Sequence, residues 1–177
     1  MEKVLKDYSH YIVKLPKVID KQTFSDIQSD IKSIVEFTKL PLETTLEDDL
    51  IIINGVGEEQ ADSFELKRKK LVCPNYINTY SFPYDIIVAS TLIILKDYLG
   101  DNFRFCSDGS YDNFKEALGL FKVALDRRPP VIFKEQLKQL KILSELKDLS
   151  AFEQETLENK LKKIFEDYAE KTDICIY

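Results

Sequence analysis

Residues 10–15 (HYIVKL) are rich in strand-forming residues and stop at Pro16, which cannot donate to a ladder, so they read as a first strand. The alternation of a strand sends Tyr11, Val13 and Leu15 inward and His10, Ile12 and Lys14 outward. The period then lengthens. Ile27, Ile31, Ile34, Val35 and Thr38 recur at helical spacing, Thr23 and Asp26 stand in a capping-box-like relation, and Leu40-Pro41 ends the helix. Residues 50–53 are a continuous aliphatic run with the length and β-branching of a buried strand. Across Asn54-Gly55-Val56-Gly57, residues 62–69 set Phe64 and Leu66 against Glu65 and Lys67, which predicts the second strand of a hairpin. Residues 67–80 read as an irregular connection.

Ser81, Pro83 and Asp85 carry the marks of a helix start: a capping hydroxyl, a first-turn proline and an acid at the positive dipole end. The helix over 84–99 holds IIVASTLIIL, apolar on every side, and ends at Gly100, so it must be covered on more than one face. Residues 103–107 (FRFCS) alternate as a strand with Phe103 and Phe105 facing the helices. Asp108-Gly109 then turns, and Ser110 caps a helix with a stripe of Phe114, Ala117, Leu118, Phe121, Ala124 and Leu125.

The order β-α-β-β-α-β predicts an α+β fold of the ferredoxin-like kind, a four-stranded antiparallel sheet with both helices on one face; another α+β topology is the alternative. Arg127-Arg128-Pro129-Pro130 interrupts the chain. Beyond it lie two amphipathic helical patterns joined by the capping box Ser150-Ala151-Phe152-Glu153, an antiparallel pair by its short link. The division is then a sheet domain over 1–128 and a C-terminal helical hairpin over 129–177. The hairpin either covers the apolar helix over 84–99 or forms an interaction arm. Residues 174–177 are an edge strand or a frayed tail.

Composition narrows the chemistry. The chain has 177 residues, 44% hydrophobic, enough to bury a core without staples. Its 25 Lys+Arg against 31 Asp+Glu leave a net charge of −6, which argues against nucleic acid and suits a basic protein partner. A single His excludes most zinc and triad schemes. Cys73, Cys106 and Cys175 are few, odd in number and far apart, the usage of a reducing compartment. The first ten residues lack a signal-peptide core, and the longest apolar run, 86–95, falls far short of the ~20 residues a membrane span needs. These features predict a cytoplasmic protein with no cofactor and no membrane association.

Four places could hold chemistry. Gly55-Val56-Gly57 is followed by Glu58 and Glu59, whose charge would repel a phosphate, so it reads as a turn. Glu47, Asp48 and Asp49 with Glu58, Glu59 and Asp62 have the oxygen ligands of a hard-cation site but no EF-hand spacing; solvated loops are the simpler reading and no metal is expected. Ser107-Asp108-Gly109-Ser110 precedes a helix, where Ser110 serves as a cap rather than a nucleophile. Finally, alternation places His10 and Lys14 beside Arg104 and Cys106 on the open sheet face, joined by Glu65 and Lys67 from the hairpin. A Cys–His nucleophile pair lacks a third residue to orient the His, so no catalytic residue is assigned.

Residues 83–125, PYDIIVASTLIILKDYLGDNFRFCSDGSYDNFKEALGLFKVAL, resemble small uncharacterised bacterial proteins in which an apolar helix leads through a Gly-Asp turn to a strand ending in Ser-Asp-Gly. The resemblance implies no activity. The leading expectation is therefore a non-enzymatic protein-binding module, in concrete form an immunity- or antitoxin-like neutraliser of a basic protein. Its candidate contact residues are His10, Lys14, Glu58, Glu59, Glu65, Lys67 and Arg104. The alternatives are an enzyme using carboxylates near 47–62 or the 107–110 turn, and a structural homodimer module built on the C-terminal helices.

Overall fold

A computed structural model describes residues 9–69, 76–107, 111–130 and 174–176. The fold is α+β. Its elements run β1 (Ser9–Lys14), α1 (Lys21–Thr38), β2 (Glu43–Glu47), β3 (Leu50–Asn54), β4 (Phe64–Lys67), β5 (Tyr76–Asn78), α2 (Asp85–Leu99), β6 (Arg104–Ser107), α3 (Tyr111–Leu125) and β7 (Ile174–Ile176).

The predicted hairpin forms, with β3 antiparallel to β4, but it does not join β1 and β6. Two sheets result, in the orders β5-β1-β6-β7 and β2-β3-β4. This differs from the ferredoxin-like expectation because two strands were not foreseen. β2 lies in LETTLEDD, whose polar alternation reads as loop, and it pairs with β3 through the two-residue turn Asp48-Asp49. β5 is three residues long, too short for a periodic signal, and takes the position on β1 that the hairpin would have filled. β7 adds to β6 in parallel, the first of the two alternatives, edge strand or frayed tail, read for the C-terminal residues. The C-terminal helical hairpin and the 108–110 turn lie outside the described residues.

The helices layer as expected around α2, which packs against both α1 and α3. Ile87, Val88, Leu92, Ile93, Ile94 and Leu95 are fully buried, each contributing about 2 kcal/mol by removal from water. α1 begins at Lys21, ahead of the Thr23 start read from sequence. Asp20 caps it, its carboxylate accepting from the Gln22 and Thr23 backbone N–H groups. It buries Phe24, Ile27, Ile31 and Ile34, and Lys39 closes it in the left-handed conformation. Phe103 and Phe105 face the helices as predicted.

The helices are tied together at one end by Arg127. Its guanidinium lies 2.6 Å from Asp30 of α1 and 3.0 Å from Asp97 of α2, and stacks over the Tyr98 and Phe121 rings. The sheets are joined by Asp62, which exchanges backbone and side-chain hydrogen bonds with Asn78, and by paired bonds between Ile19 and Arg68.

Candidate functional site

The polar centre of the molecule is built where β1 meets the start of α2. Thr79 to Phe82 form a tight turn, closed by the Phe82 N–H donating to the Thr79 carbonyl at 3.0 Å. Tyr80 and Ser81, its two central residues, both take positive φ, 51° and 55°. That is the conformation Asn and Gly prefer, and residues with side chains adopt it at a cost of about 1 kcal/mol or more each. The turn replaces the Ser81 cap predicted from sequence. It delivers Thr79 against the first residue of α2, Asp85, so that the Thr79 hydroxyl donates to Asp85 Oδ1.

On the same oxygen, His10 Nε2 lies at 2.9 Å. His10 and Thr79 are wholly buried and Asp85 nearly so. An acid buried at this depth is sustained by donors and by the positive end of the helix dipole, and here it has both. The His10 ring also meets Phe114 of α3 edge-on at 6.0 Å. One strand and two helices are thereby fixed about a single imidazole.

His10 therefore does not lie on an open sheet face, contrary to the alternation read from sequence. The reason is a bulge. The β1–β6 register shifts between Ile12 and Lys14, so the phase inverts along the strand. His10 and Ile12 point into the core and Tyr11 points out, while Lys14 is exposed and donates to the Asp101 carbonyl at 2.7 Å. Arg104 is paired in register with Lys14 and is half-buried. Glu65 and Lys67 do not join this face, because β4 belongs to the other sheet; they form their own ion pair at 2.9 Å. Glu58 and Glu59 are exposed in a single 3-10 turn after Gly55. The seven candidate contact residues are thus dispersed over separate surfaces and the core.

The acidic turn at 47–49 is engaged in structure. Arg68 binds the Asp49 carboxylate and holds it below the usual carboxylate range, helped by Lys69. Among the described residues no cluster of His, Cys, Asp and Glu is arranged to hold a metal ion. No described helix is long and apolar enough to cross a membrane.

Asp85 has a second aspect. It lines a cleft of about 490 Å³ formed by the end of α1, the 79–84 turn and α3. Phe37, Leu40, Phe82, Pro83 and Ile86 supply apolar walls; Asp85 and Glu116 are the charged groups among the described lining residues. Phe37 is 55% exposed, unusual for so large an apolar side chain. Both hydrogen bonds to Asp85 fall on Oδ1, and Oδ2 takes neither. Sequence reasoning missed this cleft. Asp85 reads as an ordinary first-turn acid, and no sequence pattern singles out Phe37 or Glu116. The available signal was an acid heading a helix with no polar face.

No protein-family model, curated protein or solved structure matches this chain.

Proposed function

We propose that this chain is a non-enzymatic, cytoplasmic protein-binding module for a basic partner, and that the cleft at the start of α2 receives an arginine or lysine side chain. The observation that supports this most is the described lining, with apolar walls and two carboxylates, Asp85 and Glu116, as its charged groups. Long cationic side chains lay their stems on apolar surface and carry the charge to the end, which matches Phe37 and Phe82 leading to Glu116 and Asp85. The net charge of −6 favours approach of a basic surface and speeds encounter. The concrete form of the reading is a neutraliser of the immunity or antitoxin kind, which inactivates a basic protein by occupying it.

The test is selection of a random displayed peptide library on the immobilised protein. The reading expects enriched sequences to share Arg or Lys beside apolar residues, and expects Glu116→Lys to abolish their retention. Enrichment of sequences without basic residues, or equal retention on the Glu116→Lys protein, contradicts it.

A further inference from the structure

We propose that β2 is an acceptor edge for an extended basic segment of a protein partner, which adds to the β2-β3-β4 sheet as a fourth, hydrogen-bonded strand. This goes beyond the cleft reading and shares with it only the sign of the partner's charge. β2 ends its sheet, so among the described residues one side of the strand carries no neighbouring strand. The two-residue turn Asp48-Asp49 makes Glu47 and Leu50 a hydrogen-bonded pair, and alternation then pairs Thr45 with Ile52 and Glu43 with Asn54. The backbone N–H and C=O groups of Thr44 and Leu46 consequently point away from β3. They take part in no described hydrogen bond. The strand has continuous register and no proline. Gln28 of α1 fixes its far end by donating to the Glu47 and Leu50 carbonyls.

The side chains select the occupant. Leu46 packs on the core, opposite the buried Ile51, while Glu43 and Glu47 are exposed. A second copy pairing antiparallel about Thr45 would set Glu43 directly opposite the other copy's Glu47, twice over. Like charges in that position are destabilising, whereas opposite charges are favourable. A strand with Lys or Arg at alternate positions satisfies both glutamates on one face and the Thr44 and Leu46 backbone through its own main chain, the mode in which backbone bonds give affinity and alternate side chains give specificity.

The experiment uses the full chain and a synthetic capped peptide of alternating lysine and valine, six residues long. A control peptide is N-methylated at alternate backbone nitrogens. Amide hydrogen exchange is followed by NMR. At saturating peptide, exchange at Thr44 and Leu46 is expected to slow roughly tenfold or more, since an amide must be freed of its new bond before it exchanges. The N-methylated peptide is expected to give no slowing. Thr44→Pro removes an edge-facing N–H without touching the β2–β3 ladder, and is expected to abolish peptide binding while melting and Glu116-dependent retention at the cleft stay unchanged. Three outcomes overturn the proposal: exchange unaltered by the lysine peptide, equal binding of the N-methylated peptide or the Thr44→Pro protein, or slowing that appears with protein concentration alone, which assigns the edge to a second copy. Loss of cleft retention with the edge response intact refutes the cleft reading instead.

Discussion

His10 Nε2 and Asp85 Oδ1 meet at 2.9 Å across 75 positions of sequence, both side chains withdrawn from water. The contact joins β1, an inner strand of its sheet, to the first residue of α2, a helix buried along nearly its whole length. Removing either partner leaves a polar group stranded in the core, and a hydrogen bond to a charged group is worth about 1.5–3 kcal/mol before the cavity is counted. His10→Ala and Asp85→Ala are each expected to lower unfolding free energy by about 3 kcal/mol, and Thr79→Val by about 1 kcal/mol. Urea denaturation of the three variants and of the His10→Ala/Asp85→Ala double variant checks this. The double variant is expected to cost much less than the sum, because the two groups act as a pair.

Lys96 is buried at the end of α2, where its ammonium donates to the Gly100 carbonyl at 2.8 Å and the Phe103 carbonyl at 3.3 Å. Burial lowers its pKa below 10.5, with Asp101 opposing. The unfolded chain thus holds this proton more tightly than the folded one. The stability that Lys96 contributes is present above 10.5 and is lost as pH falls through the lower folded value. Relative to Lys96→Met, the parent is expected to gain stability as pH rises towards that range. A constant difference across alkaline pH, measured by denaturant titration, would contradict the burial.

Asp49 shows the opposite sign. The hydrogen bond from Arg68 lowers its carboxyl below 3.8, so its contribution is present above that value and is lost as pH falls through the folded pKa. Asp20 behaves alike, held down by Thr23 at the α1 cap. Asp49→Asn and Asp20→Asn are each expected to flatten the acid side of the stability profile below about pH 5, with little change in its alkaline side. Melting temperatures collected from pH 2 to 7 provide the check.

Two glycines make opposite predictions. A Cβ on Gly55 would lie 1.9 Å from the Glu59 carbonyl oxygen and 3.0 Å from the Tyr84 ring, so the backbone must shift. Gly55→Ala is expected to cost about 2 kcal/mol or more, the scale of an overpacked site. Gly119 sits inside α3 with nothing among the described residues within 4 Å of an added Cβ. Gly119→Ala is expected to stabilise by about 0.5–1 kcal/mol through helix propensity alone. Thermal melts that moved in the same direction would contradict this assignment.

What the sequence disclosed follows from where its signals are periodic. α2 and α3 are long and apolar, and their buried residues were legible, as was the hairpin of β3 and β4 with its alternating Phe64 and Leu66. β2 was hidden because Glu43, Thr44 and Glu47 are exposed on a sheet edge, where no core pattern is imposed. The facing of β1 was inverted because a bulge after Ile12 moves the phase by one residue, and no residue type announces it. Asp85 was read as a helix signal and His10 as an open-face residue; their meeting depends on the Tyr80-Ser81 turn, whose positive φ values neither residue type suggests.

The cleft stands or falls on which charge it accepts. Titration of the protein with N-acetyl-arginine amide, followed by amide shifts in NMR against N-acetyl-glutamate amide, measures this directly. The account predicts saturable shifts at Phe82, Asp85, Ile86 and Glu116 with the arginine compound, weakened by salt and lost in Glu116→Lys, and none with the glutamate compound. Shifts of equal size with both compounds, or none at these four residues with arginine, would contradict it.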